Sequence, residues 1–145
     1  MTTLTGKVAI VTGASRGIGC AIAERFARDG AAVVVNYSRS ANQAKEVVAT
    51  IESRVGQAVA IQADMGRTSE IRHLFRETST RFGHVDILVN NAATFVFHPL
   101  AATTEEEFDR VFALNARVLS LPCRRRHARC RMEGVSSISR RAGRR

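Results

Sequence analysis

The stretch "TGASRGIG" (Thr12–Gly19) directly follows the apolar run "VAIV" (Val8–Val11). Four consecutive apolar residues are typical of a strand covered on both faces of its sheet. Gly13, Gly17 and Gly19 then stand where that strand should turn into a helix. Because glycine permits positive φ and close backbone approach, a diphosphate could reach the free N–H groups at the helix start. The stretch predicts a dinucleotide-binding turn, and the alternative is a tight turn that simply requires glycine.

The alternation of strand and helix continues along the chain. Apolar runs at 31–36, 58–62 and 85–90 predict three further strands, separated by segments with apolar residues at helical spacing. Thr104 and Glu107 form a capping-box pattern that predicts the start of a fourth helix. This order of elements predicts an α/β fold with a parallel sheet covered by helices on both faces.

Composition favours one globular domain. The chain has 145 residues, of which 45% are hydrophobic and 24% charged. We expect no membrane span and no signal peptide, because the sequence lacks a long apolar run and the N-terminus lacks a charged start with an apolar core. The cytoplasm is therefore the expected location, and the odd number of cysteines favours reduced thiols.

The positive net charge is confined to one end of the chain. Residues 1–117 carry 13 basic and 12 acidic side chains, whereas residues 118–145 carry nine arginines and one glutamate. This change in composition predicts two parts, a dinucleotide-binding domain over 1–117 and a basic tail over 118–145.

The end of the second predicted strand bears on the choice of cofactor. An NAD site usually places Asp or Glu there, on the ribose 2′-hydroxyl. This chain instead has Asn36, Tyr37, Ser38 and Arg39. Arg39 could pair with a 2′-phosphate, and Arg16 in the glycine turn could supply a second cation. The pattern favours NADP(H) over NAD(H), and the alternative for Arg39 is a solvated loop charge.

Four motifs in order carry a resemblance to a known family. "TGASRGIG" (12–19), "ADM" (63–65), "NNAA" (90–93) and "FDRVFALN" (108–115) stand at the spacing of short-chain dehydrogenases/reductases. The sequence resembles the 3-oxoacyl-acyl-carrier-protein reductase branch over residues 4–117. The resemblance implies a Rossmann-type doubly wound sheet with strand order 3-2-1-4 and an NADP(H)-dependent oxidoreductase that interconverts small carbonyl compounds and alcohols.

The resemblance also extends the set of site residues. Asp64 and Met65 would border the adenine, while Asn91 and Ala92 would lie against the adenosine ribose. For Asn91 the alternative is a turn held by side-chain-to-backbone hydrogen bonds. No metal site is predicted. The full set of predicted cofactor-binding residues is Gly13, Ser15, Arg16, Gly17, Ile18, Gly19, Asn36, Tyr37, Ser38, Arg39, Asp64, Met65, Asn91 and Ala92.

The catalytic groups implied by the resemblance are mostly missing. The family uses a tyrosine, a lysine four residues later, a serine and an asparagine, and only Asn115 can be matched. The one tyrosine is Tyr37, and the only lysines are Lys7 and Lys45, so no Tyr-x-x-x-Lys is present. We therefore expect a chain that keeps the NADP(H)-binding half of the family fold but is inactive alone.

Asn115 shares a helical face with apolar residues. Phe108, Val111 and Phe112 precede it at spacings of seven, four and three residues. This pattern predicts that Asn115 sits on an apolar face, where its amide needs hydrogen-bond partners. A satisfied core asparagine is the alternative to a catalytic role.

The arginine-rich tail admits four interpretations. It could be a nucleic-acid-binding arm, although it lacks aromatic residues for base stacking. Cys123, His127 and Cys130 could ligate zinc, although their spacing is not that of a zinc site. It could also be a disordered, solvated tail. The hypothesis we favour is a change of reading frame near Arg117–Val118.

A shifted frame of the tail restores a family-like sequence. Read from the third base of each codon, the codons of 134–141 can encode Arg-Leu-Ile-Asn-Ile-Ser-Ser, which resembles the family's fifth strand. On this hypothesis the fold stops after its fourth helix and leaves the fourth strand as a sheet edge. Oligomerisation stays possible, but we expect the helices that would form the interface to be incomplete.

Overall fold

The computed structural model describes residues 4–97 and 99–117 of the chain. The strands are β1 (Val8–Val11), β2 (Ala32–Tyr37), β3 (Gln57–Gln62) and β4 (Ile87–Val89). The α-helices are α1 (Gly17–Arg28), α2 (Ala41–Glu52), α3 (Thr68–Phe82) and α4 (Glu105–Phe112). A 3₁₀ turn at Leu100–Ala102 precedes α4, and a π-helical turn at Ala113–Arg117 follows it. The zinc, nucleic-acid and reading-frame hypotheses concern residues 118–145 and lie outside the described residues.

The four strands form one parallel sheet in the order β3-β2-β1-β4. This confirms the predicted α/β class and strand order. Val11 pairs with Val35 of β2 on one side and with Val89 of β4 on the other. β1 is therefore central, and its carboxyl end lies beside those of both neighbours.

Alternating side chains of the strands form two separate cores. Val11 and Val35 pack in the core that α1 and α2 cover. Ile10 and Val34 pack in the core that α3 covers, where they share a cluster with Leu74 of that helix. The two central strands, β1 and β2, are thus buried on both faces, which explains why they are apolar runs rather than alternating ones.

The buried face of α1 differs from the predicted one. The apolar residues at helical spacing in this segment are Ile18, Ala21, Ile22 and Phe26. Ile22 and Phe26 pack partly buried against the core, but the fully buried residues are Gly19 and Ala23, and Ile18 is 41% exposed. Small residues lie at the contact between α1 and the sheet because they let the helix axis approach the sheet closely. The larger side chains then lie at the flanks of that contact.

Strand β4 is shorter than the predicted run of 85–90. Val85 is buried in the core beneath α3, but it lies ahead of the ladder. Asp86 is joined to β1, because its N–H donates to the carbonyl of Val8 and its carboxylate accepts from the Val8 N–H. A side-chain bond therefore replaces part of the expected strand pairing.

Helix α4 begins as predicted, and its aromatic side chains are exposed. Thr104 and Glu107 form a reciprocal capping box with both N···O distances at 3.3 Å. Phe108 and Phe112 stack with ring centroids 4.5 Å apart, and each is more than half exposed. The described part of this helix therefore has an apolar face that is not buried. None of the helices in the described ranges is long and apolar enough to cross a membrane.

Candidate functional site

The carboxyl ends of the four strands meet at one edge of the sheet. Because all strands are parallel, the turns at 12–16, 38–40, 63–67 and 90–97 gather there. In open α/β sheets ligands bind in the crevice outside this edge, where neighbouring connections run to opposite faces. The predicted site residues other than Asn115 belong to these turns or to residues next to them.

The three glycines of the first turn have different surroundings. Gly13 has φ of +61°, and a Cβ there would lie 3.0 Å from the Cα of Ala92. A Cβ on Gly19 would lie 2.5 Å from Nδ2 of Asn91 and 2.6 Å from the carbonyl oxygen of Gly13. Gly17 also has positive φ, but nothing lies within 4 Å of its Cβ position. Two glycines therefore pack the turn against the loop after β4, and the third faces open space.

The turn leaves a row of backbone donors unused. The N–H groups of Thr12, Gly13 and Ala14 donate to Val89 O, Asn36 Oδ1 and Asn36 O. The N–H groups of residues 15–19, by contrast, donate to no other described residue. Helix α1 also has no side-chain cap and no acidic residue in its first turn. The positive end of this helix is thus free to bind an anion.

Thr12 joins the glycine turn to the loop after β4. Its hydroxyl is fully buried, donates to Val89 O at 3.1 Å and accepts from the N–H groups of Asn91 and Ala92, both at 3.0 Å. The amide of Asn91 donates in turn to the carbonyls of Thr12 (2.9 Å) and Gly13 (3.1 Å). Asn91 thus makes the side-chain-to-backbone hydrogen bonds of the turn that we considered as the alternative to a ribose contact. That Asn91 and Ala92 contact a ribose stays a prediction.

Sequence reasoning did not assign a role to Thr12. The signal that could have found it is a hydroxyl residue directly after a fully apolar strand. Such a residue needs a hydrogen-bond partner when it is buried, and the nearest unpaired groups are those of the neighbouring turn.

The residues after β2 divide into buried and exposed ones. Asn36 is 1% exposed and Tyr37 is half-buried, whereas Ser38 and Arg39 are exposed. Arg16 in the glycine turn is exposed as well. Within the described ranges neither Arg16 nor Arg39 forms an ion pair, so both guanidinium groups are available to an anion. The described arginines that do form ion pairs are Arg25, Arg28, Arg54 and Arg67.

Asp64 and Met65 follow β3 but point to different surroundings. The carboxylate of Asp64 accepts from the N–H of Gly66 at 2.8 Å and lies 3.7 Å from Arg67, with its side chain 44% exposed. Met65 is 3% exposed, and its side chain packs in the core beneath α3. The prediction that Met65 borders an adenine can therefore hold only through its backbone.

Asn115 joins the π-helical turn to the loop after β4. Its Oδ1 accepts from the N–H of Thr94 at 3.1 Å, and its Nδ2 donates to the Thr94 carbonyl at 2.8 Å. The residue is exposed, so the alternative of a satisfied core asparagine is wrong, while the predicted hydrogen-bond partners of its amide are the backbone groups of Thr94. A π-helical turn begins directly after Phe112, so the α-helical spacing assumed in the prediction does not extend to Asn115.

The only thiol in the described part of the chain is not an activated nucleophile. Burial raises the pKa of Cys20, and the neighbouring carboxylate of Glu24, 3.5 Å from Sγ, raises it further. The thiol therefore stays protonated near neutral pH. Within the described ranges no group of His, Cys, Asp and Glu side chains could hold a metal ion.

Known proteins match this chain over most of its length. A family model described as short chain dehydrogenase matches residues 7–126. The hydroxynaphthalene reductase-like protein Arp2 of Metarhizium robertsii is 53% identical over 114 residues, which are 79% of this chain and 43% of that protein. The chain thus spans less than half the length of this relative.

Solved structures with bound cofactor are similar too. A short chain dehydrogenase from Burkholderia cenocepacia in complex with NADP has a TM-score of 0.77 and 45% identity, over 80% of this chain and 47% of that one. A blue fluorescent protein from a metagenomic library in complex with NADPH has a TM-score of 0.76 and 40% identity, over 79% of this chain and 47% of that one.

Proposed function

The chain belongs to the short-chain dehydrogenase family, and from that premise we propose that residues 4–117 bind NADP(H) at the carboxyl edge of the sheet. The observation that carries the proposal is the row of N–H groups at residues 15–19, which donate to no other described residue and which include that of Gly17, whose Cβ position is open. Two similar solved proteins are complexes with NADP and NADPH. NADP(H) rather than NAD(H) is supported by Arg16 and Arg39, which are exposed and form no ion pair with the described residues.

The residues present fit such a cofactor part by part. The N–H groups at the start of α1 would hold the diphosphate, with the helix dipole adding to the attraction. Arg16 and Arg39 would pair with the 2′-phosphate, since guanidinium groups bind phosphate oxygens in a bidentate manner. Asp64 would accept from the adenine amino group with its exposed carboxylate. When bound, the nicotinamide of this cofactor supplies or accepts a hydride.

We further propose that the whole protein's reaction is the interconversion of a carbonyl group and an alcohol. The relative in Metarhizium robertsii is named hydroxynaphthalene reductase-like, which fits this class. The more specific assignment to 3-oxoacyl-acyl-carrier-protein reductases rests on the sequence resemblance alone. Asn115, which pins the loop after β4 through Thr94, is the one residue in the described part that we place beside the reacting groups.

The 145 residues do not supply the groups that proton transfer requires in this family. The single tyrosine, Tyr37, ends β2, and no Tyr-x-x-x-Lys occurs in the sequence. In this family a lysine four residues after the tyrosine enables proton transfer, and the residue four after Tyr37 is Ala41. We therefore propose that this polypeptide binds the cofactor without turning over a substrate.

A fluorescence titration with NADPH and NADH tests the binding proposal. We expect the chain to bind NADPH more tightly than NADH, and Arg39→Gln to weaken NADPH binding about tenfold while leaving NADH binding unchanged, because one charge-assisted phosphate contact is lost. The control is Arg81→Gln, an exposed arginine in the last turn of α3 at the opposite edge of the sheet, which should change neither affinity.

Two outcomes would contradict the proposal. One is a chain that is folded but binds neither cofactor at millimolar concentration. The other is an equal loss of NADPH binding in Arg39→Gln and Arg81→Gln, which would show that general positive charge, not a defined contact, attracts the cofactor. Oxidation of NADPH with an acetoacetyl thioester by the purified chain would separately overturn the proposal that turnover is absent.

A further inference from the structure

Asn36 lies where dinucleotide-binding folds place the residue that contacts the adenosine ribose, close to the carboxyl end of the second strand. A residue with that role must reach the ligand crevice. Asn36 is instead 1% exposed, and it pairs with Ile61 of β3 in the sheet. Its neighbours Ser38 and Arg39 are the exposed residues of this strand end.

The amide of Asn36 is fully engaged with the protein. Its Nδ2 donates to the carbonyl oxygens of Ile61 at 3.3 Å and Ala63 at 3.1 Å, which uses both of its hydrogens. Its Oδ1 accepts from the N–H of Gly13 at 3.3 Å, and its own carbonyl accepts from the N–H of Ala14 at 2.8 Å. One residue thus connects the ends of three adjacent strands.

From this geometry we infer that Asn36 is a positioning residue of the cofactor site and does not contact the ribose itself. The inference rests on the proposed function. Asn36 takes up the donors of Gly13 and Ala14, so the turn is fixed on the protein side at its first two residues. The N–H groups of residues 15–19 then have no acceptor among the described residues, and they lie at the helix start, where a diphosphate would bind.

The bond pattern requires an amide and rejects a carboxylate of the same shape. Aspartate at position 36 would place negative oxygens against the carbonyls of Ile61 and Ala63, where Asn36 now donates two hydrogen bonds. A buried charge without a partner is costly. We therefore expect Asn36→Asp to displace the glycine turn, which holds the diphosphate common to both cofactors.

The two possible roles of Asn36 give different results with NADPH and NADH. If Asn36 positions the turn, Asn36→Asp weakens both cofactors by the same factor, at least about tenfold, because the lost contacts are those to the diphosphate. If Asn36 instead faced the ribose, the new carboxylate would repel the 2′-phosphate and accept from a 2′-hydroxyl. NADPH alone would then bind more weakly.

Ser38→Asp is the matched control. It introduces the same charge two residues further along the same strand end, at an exposed side chain. The carbonyl of Ser38 still accepts from Nε2 of Gln62, so the backbone there keeps its support. We expect this variant to bind NADPH about tenfold more weakly and NADH at least as tightly as the unaltered chain, because the new carboxylate repels the 2′-phosphate but can accept from a 2′-hydroxyl.

The experiment measures dissociation constants of both cofactors for the full chain, Asn36→Asp, Asn36→Ala and Ser38→Asp. Asn36→Ala removes the three side-chain hydrogen bonds without adding charge and keeps the backbone bond from Ala14, so it tests the inference if Asn36→Asp fails to fold. For Asn36→Ala we expect a smaller loss that is equal for NADPH and NADH. A loss confined to NADPH in either variant would overturn the inference.

A second readout separates this inference from the proposed function. Amide hydrogen exchange at Gly13 is measured without any cofactor, and we expect it to be about tenfold faster in Asn36→Ala than in the unaltered chain, because the N–H loses its acceptor. If the unaltered chain binds neither cofactor, the proposed function fails while this measurement still decides the role of Asn36. Equal exchange rates at Gly13 in Asn36→Ala and in the unaltered chain would overturn the inference that Asn36 positions the turn.

Discussion

At the scale of single residues, Gly17 and Gly19 differ in what a methyl group would meet. A Cβ on Gly19 would lie 2.6 Å from the carbonyl oxygen of Gly13 and 2.9 Å from the Cα of Ala14, both backbone atoms that cannot move aside. A Cβ on Gly17 would meet nothing within 4 Å, so its only penalty is the positive φ of 60°.

We expect Gly19→Ala to lower the free energy of unfolding by about 3 kcal/mol, because overpacking shifts the backbone. Gly17→Ala serves as the control and should cost about 1 kcal/mol, the strain of a left-handed alanine. Urea unfolding of both variants measures the difference. A loss in Gly17→Ala as large as that in Gly19→Ala would show that backbone conformation, not packing, dominates this turn.

The sequence predicted which residues form the turn, but not where every side chain points. Gly13, Gly17 and Gly19 could be assigned because glycines at this spacing, between a buried strand and a helix, are typical of a phosphate-binding turn. The directions of Asn36 and Met65 could not be assigned, because a side chain at a strand end faces either the core or the crevice, depending on tertiary contacts. Both turn out to be buried.

At the scale of secondary-structure elements, Asp86 connects β4 to β1 at the amino edge of the sheet. Its Oδ2 accepts from the N–H of Val8 at 2.8 Å, and its carboxylate lies 3.3 Å from Nζ of Lys7 and 2.9 Å from Nε2 of His84. Burial of the carboxyl group raises its pKa, but the bond from Val8 and the charges of Lys7 and His84 outweigh this and hold the pKa below its ordinary value of 3.8.

A lowered pKa in the folded state means that ionised Asp86 stabilises the fold above pH 3.8 and that this contribution is lost as pH falls through the lower folded value. We expect Asp86→Asn to reduce the free energy of unfolding by about 1–2 kcal/mol at pH 7, because charge-assisted bonds are lost. The difference from the unaltered chain should shrink toward zero near pH 2 in urea titrations. A difference that does not change with pH would contradict this account.

Elements were predicted well where a local pattern determines them. The capping box of Thr104 and Glu107 is one example, since its partners are three residues apart. The buried face of α1 and the length of β4 were predicted less well, because each depends on contacts with distant segments. Asp86, for instance, is bonded to Val8, 78 residues away along the chain.

At the scale of the whole molecule, β4 is the outer strand of the described sheet on one side. Close to it along the chain, large apolar side chains are exposed, with Phe95 at 80% and Phe97 at 95%. The relatives are more than twice as long as the matched segment. The sequence indicated the open edge through its strand count, but the exposure of these phenylalanines depends on loop geometry that no periodicity describes.

The proposed domain boundary can be tested on the coding DNA. The family model extends to residue 126, so a change of reading frame near Arg117–Val118 stays a prediction. We expect the alternative frame downstream of this point to encode Asn-Ile-Ser-Ser followed by Tyr-x-x-x-Lys. A downstream DNA sequence that encodes these residues in no frame would contradict the change of reading frame. The arginine-rich composition of 118–145 would then be a property of the protein itself.

The central claim is that the start of α1 holds the diphosphate of NADP(H). Amide hydrogen exchange at residues 15–19, measured with and without saturating NADP⁺, tests it most directly, because these N–H groups have no acceptor among the described residues. We expect exchange at these amides to slow at least about tenfold when NADP⁺ is bound. NADP⁺ binding that leaves their exchange unchanged would contradict the account.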